Sequence, residues 1–216
     1  MQLPFSRDAF LAVFRAYNAA IGIAPFALVF LAVALIVLAH TKVTWRHRAI
    51  TTGLGAFWVW SGVVYHWGFF ARINPAARLF GAVFLVQGII LLTYALREPL
   101  RFAPGAWGTG WVLIVYALIV YPLLGYASGH GYPGGPSFGA PCPVTIFFLG
   151  MMLWTQDRPP VSVIAIPVMW ACVGTSAAMQ LGMREDLGLT AAAALVVIDA
   201  IRRRPVSAVR MPSVAR

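Results

Sequence analysis

The sequence predicts an all-α fold, a polytopic transmembrane helix bundle of about seven spans, and three observations predict it. Hydrophobic residues make up 61% and charged residues 10% of the 216-residue chain, against roughly 45–50% and roughly 25% in an average globular domain. The apolar residues fall in runs of membrane length. The basic residues sit in the short gaps between those runs and in a C-terminal tail, the pattern of helices anchored to an anionic leaflet. So few charges cannot cover a water-soluble surface, and the aromatic richness excludes disorder. Two cysteines, Cys142 and Cys172, exclude a disulfide-rich scaffold. The net charge of +10 has no polar basic face to place against nucleic acid, so the lipid bilayer is the expected partner.

Residues 1–18 hold an interfacial helix: Phe10, Phe14 and Tyr17 share one face of RDAFLAVFRAY, with Arg7, Asp8 and Arg15 elsewhere. The run that follows is long enough to span and lacks a small-x-small cleavage site, so a cleaved signal peptide is not expected. The bundle occupies 19–201, with spans at about 19–39, 49–70, 76–96, 109–127, 143–156, 161–181 and 187–201. Asn74-Pro75 opens the third span, Asn capping exposed amides and Pro losing no hydrogen bond at the first turn. Asp199 lies within reach of Arg202 and Arg203 at the end of the last. Residues 202–216 form a basic cytoplasmic tail, and no linker is long enough to divide the single membrane domain.

The most unusual stretch is SGHGYPGGPSFGAPCP, residues 128–143. The span it feeds, 143–156, covers roughly 21 Å of a roughly 30 Å hydrocarbon core. Two readings stay open: an outer loop before a short helix, or a re-entrant segment, which would have to be buried by protein or line a wet cavity. With Pro143 as first helical residue, Cys142 falls at the cap, where the helix dipole favours a thiolate; simple packing is the competing reading.

Polar groups at depth nominate a binding pocket. His66 lies within the second span, and an ionisable residue there is costly without a partner. Tyr65, Tyr126, His130, Tyr132 and Cys142 are its neighbours by depth, and Gln87, in the middle of the third span, is either the pocket floor or helix–helix glue. His66 is equally readable as a neutral histidine bonded to another helix. No catalytic residue and no cofactor is assigned, and a metal is left undecided. A seven-helix zinc hydrolase lacks histidines in the last span, a rhodopsin lacks the lysine there, and a haem site lacks a second deep histidine.

Three blocks carry a resemblance: MQLPFSRDAFLAVFRAYNAAI, YHWGFFARINPAARLFGAVFLVQG and GYPGGPSFGAPCPVTIF. Together they resemble a bacterial family of small multi-pass membrane proteins catalogued as a domain of unknown function. The resemblance implies a bacterial inner-membrane location and carries over no site residue.

The expected function is a small-solute or ion permease or channel with an outward-facing polar pocket. A membrane enzyme or redox or metal-binding protein using Cys142 or His66, and a non-catalytic subunit of a membrane complex, are the alternatives; homo-oligomerisation is left open. Seven spans put the termini on opposite sides. Five Lys and Arg then fall on the N-terminal side and eleven on the other, so the positive-inside rule places the N-terminus outside and the C-terminus in the cytoplasm. Reporter fusions at the C-terminus are expected to be active in the cytoplasm, and periplasmic activity there would overturn the assignment.

Overall fold

The computed structural model describes residues 4–105 and 108–203, so the basic tail beyond Arg203 lies outside the described residues. Helix α1 (Arg7–Ile21) starts at Ser6, whose hydroxyl accepts a hydrogen bond from the Ala9 amide at 3.2 Å. Its predicted apolar face is buried together with Val13 and Asn18. The chain turns at Gly22, whose φ of +56° a side chain would resist, and α2 (Ala24–Ala39) leaves at 82° to α1. Helix α3 (Arg46–Trp60) continues as a π-helical segment, Ser61–Trp67. Asn74 accepts from the Ala76 amide at 3.1 Å just before α4 (Ala77–Arg97). Helices α5 (Thr109–Val115) and α6 (Tyr121–Ala127) are joined by a second π-helical segment, Tyr116–Val120. Then come α7 (Pro141–Met152), α8 (Val161–Leu181), a 3₁₀ turn at Arg184–Leu187, and α9 (Gly188–Arg202). Among the described residues there is no β-strand.

Seven membrane-length helices are not what the chain forms. Among the described residues, Ala77–Arg97, Thr109–Ala127 and Val161–Leu181 are long and apolar enough to cross a membrane, and α1 with α2 adds a fourth if the bent pair is one span. These match the expected third, fourth and sixth runs. The expected first span is a 16-residue helix after a sharp bend, the fifth is 12 residues long and the last 15. The run at 49–70 is helical through Trp67 but carries Thr51, Ser61 and His66 and falls short of the same test.

The short helix is the centre of the bundle. Every residue of α7 except Cys142 is buried, and α3, α5, α8 and α9 pack around it. A helix apolar on all sides belongs in such a position. Outward faces of the surrounding helices are apolar too, with Phe30 and Val37 on α2, Leu79 and Ile89 on α4, and Met169 and Met179 on α8 exposed. Arg203 closes the far end: it pairs with Asp199 at 2.8 Å and donates to the carbonyls of Leu153 and Thr155 just past α7.

The α3–α4 contact depends on small residues. A Cβ on Gly62 would stand 2.8 Å from the carbonyl oxygen of Gly81, and one on Gly55 would stand 3.3 Å from that of Gly88. Such close backbone approach is a common way for apolar helices to associate. Gly62→Ala is therefore expected to destabilise the bundle by about 1–3 kcal/mol, read as a lower melting temperature in detergent. An unchanged melting temperature would show that the two backbones separate at no cost.

Candidate functional site

Beside the start of α7 the chain buries an acidic turn. Glu185 and Asp186, adjacent on the 3₁₀ turn after α8, are both buried, in a chain with six acidic residues. Buried polar groups need partners, and those of this turn come from four elements. His130, on the glycine-rich segment, bonds through Nε2 to Glu185 Oε1 at 2.6 Å. Its Nδ1 faces the Ser128 carbonyl at 3.2 Å and Arg7 at 3.4 Å. Tyr116, in the second π-helical segment, donates to the Glu185 carbonyl at 2.7 Å. Tyr121, at the start of α6, donates to Asp186 Oδ1 at 2.5 Å, and the Cys142 thiol lies against the same carboxyl.

The glycine-rich segment is held in place by α1 and α3. Asn18 donates to the carbonyls of Pro133 and Gly135 at 2.8 and 3.0 Å and accepts from Ser137 at 2.6 Å. Ser61 donates to the Gly139 carbonyl at 2.9 Å. The segment is thus tethered along its length: Gly129, Tyr132 and Pro133 are exposed, whereas His130, Gly135 and Phe138 to Ala140 are buried, with Asn18 supplying bonds that a helix would supply internally. A Cβ on Gly135 would lie 1.9 Å from the His130 carbonyl oxygen, so this turn accepts glycine alone.

Two cavities meet the acidic turn. The larger, about 620 Å³, is lined by Asp186, Cys142, Tyr65 and His66 and walled by aromatic side chains of α1, α4 and α8. The smaller, about 220 Å³, reaches Glu185 and His130 beneath Phe26 and Tyr132. Tyr121 and Pro136 line both, so the carboxyls form part of the partition.

The sequence-nominated residues separate into groups. Tyr65, His66 and Cys142 share the larger cavity; His130 and Tyr132 line the smaller. Gln87 joins neither: it donates to the Val163 carbonyl at 2.8 Å and ties α4 to α8. Tyr126 is 78% exposed and lines neither cavity. A single pocket gathering all of them is therefore corrected to two cavities, without Gln87 and Tyr126. The thiolate expectation for Cys142 is corrected as well. Ala140 occupies the cap position, and burial first, then the neighbouring Asp186 carboxyl, push the Cys142 thiol up and oppose a thiolate. Cys172 is exposed on α8. Among the described residues no three His, Cys, Asp or Glu side chains gather as metal ligands.

Glu185 and Asp186 were not nominated. The signal was present: two adjacent carboxylates in MREDLG, in a gap between apolar runs of a chain poor in acids.

Fold and site together define an all-α bundle with membrane-length apolar helices and a carboxyl-bearing internal cavity. The chain belongs to the family of unknown function DUF6064, matched over residues 7–210. No curated protein and no solved structure matches the chain.

Burial raises the Asp186 carboxyl to about 7, with the Tyr121 hydroxyl pulling it down, the Glu185 charge adding to the rise, and Cys142 pulling it down. Because the folded chain holds this proton more tightly than the unfolded chain, stability is full below the ordinary carboxyl value of 3.8 and is lost as pH rises through about 7. The wild-type melting temperature is expected to fall over that window relative to Asp186→Asn, which has no proton to lose. Parallel pH profiles of the two proteins would contradict a protonated Asp186.

Proposed function

We propose that the protein is a multi-pass permease of the bacterial inner membrane that takes a small solute into an outward-facing pocket and exchanges a proton with it at Asp186. The observation that carries this reading is the buried carboxyl pair at the partition of two cavities. A buried carboxyl that is neutral or charged according to pH, at the wall of a cavity, is the equipment of a proton-linked carrier. Two further features support it. The π-helical segments carry Tyr65 and His66 on one side and Tyr116 on the other, and π-helical turns recur at functional sites. The larger cavity is lined by residues of the connectors at 70–76 and 182–187, at the ends of the helices that flank it, where a solute can enter from one face of the bundle.

Cys142 favours a second reading, a membrane-embedded enzyme, because a thiol beside a carboxyl and a tyrosine hydroxyl is a nucleophile with a base at hand. Trapping of Cys142 by a small thioester would favour it.

In proteoliposomes holding a pH-sensitive dye, the permease reading expects internal pH to move when a transported solute from a panel of small amines, acids and sugars is added outside. Asp186→Asn is expected to abolish that movement, whereas Asp157→Asn, in an exposed pair with Arg101, leaves it intact. Full proton movement by Asp186→Asn would overturn the assignment.

A further inference from the structure

We infer that the larger cavity binds a small lipophilic ammonium ion, its charge on Asp186 and its apolar part among the aromatic walls. This rests on the pocket proposed above and adds the class of solute.

The sign of the cavity runs against the sign of the protein. The chain holds sixteen Lys and Arg against six Asp and Glu, yet the described lining has no Lys or Arg and one carboxyl, Asp186. That carboxyl is 4% exposed, and among the described residues no basic side chain pairs with it. Its partners are a tyrosine hydroxyl and a thiol, both neutral donors. A carboxylate in that setting lacks a counter-ion, and a ligand cation supplies one. An anionic ligand would meet a carboxyl and no compensating cation.

The walls fit the rest of such a ligand. Phe5, Phe10, Phe14, Tyr65 and Phe70 form a connected set with ring centroids 4.9–5.8 Å apart. Their faces attract a cation as well as an apolar ring. A cavity of about 620 Å³ is within the usual range for a small ligand.

His66 is the independent sign that something polar belongs there. It lines the cavity, is 0% exposed, and neither ring nitrogen has a hydrogen-bond partner. Rings surround it, Phe84 at 4.8 Å and Trp170 at 5.2 Å. A neutral imidazole always offers one acceptor nitrogen, and an ammonium N–H left over from Asp186 is the donor it lacks. An unpaired imidazole in an apolar cage is otherwise an uncompensated cost.

The test is equilibrium binding to the full chain in lipid nanodiscs at about pH 8, above the value of about 7 to which burial raises Asp186, using 2-phenylethylammonium, 2-phenylethanol and phenylacetate. The ammonium is expected to bind at least about tenfold more tightly than the alcohol, and phenylacetate more weakly than both. Asp186→Asn is expected to bring ammonium binding down to that of the alcohol, while Asp157→Asn leaves it unchanged. The three-ligand comparison on the unaltered protein stands even if Asp186→Asn fails to fold. Equal binding of alcohol and ammonium, preference for phenylacetate, or no binding of any of the three would overturn the inference. Ammonium binding without proton movement in liposomes would remove the permease reading and leave this one standing.

Discussion

The constraint on which the rest of the structure depends is a central helix too short to cross the bundle alone. Helix α7 has twelve residues, roughly 18 Å at ~1.5 Å per residue. It is apolar on every side, so it must be enclosed rather than set at an edge. Enclosure leaves a volume beyond its N-terminus that no neighbouring helix fills. Non-helical backbone enters that volume, and its amides and carbonyls need partners supplied from elsewhere. Asn18 and Ser61 supply them from α1 and α3, which is why an amphipathic N-terminal helix becomes part of the core.

The same volume admits charge. Two adjacent carboxyls on one short turn are costly to bury, because both give up water for a few fixed partners. The cost is met by distributing them: Glu185 takes His130, and Asp186 takes Tyr121 and Cys142. Each carboxyl faces a different cavity, and the two are adjacent on one turn. The π-helical segments belong to this arrangement. A π turn inserts a residue into the helical register, and here the segments carry Tyr65, His66 and Tyr116, all of which face the cavity or the turn.

Much of this was legible in the residues alone. The all-α class, the three membrane-length helices at 77–97, 109–127 and 161–181, the Asn74 cap and the pairing of Asp199 with Arg203 follow from local sequence: run length, capping chemistry and i,i+4 spacing. His66 and Cys142 were legible as members of one pocket because depth along a span is a local quantity. The span count was not, since hydropathy does not distinguish a helix facing lipid from one enclosed by protein, and α7 is the enclosed kind.

The sequence by itself determined composition, helical periodicity and the depth of each polar residue, because these depend on neighbours along the chain. Only the tertiary structure decided azimuth: which way each side chain faces once helices pack. Gln87 and His66 both lie within apolar runs, yet Gln87 turns to the Val163 carbonyl and His66 to the cavity. Glu185 and Asp186 lie in a connector, yet fold inward against residues 55 to 65 positions away. Whether a charged connector meets water or the interior depends on what α7 leaves unfilled, and that is a property of the packed bundle, not of any segment within it.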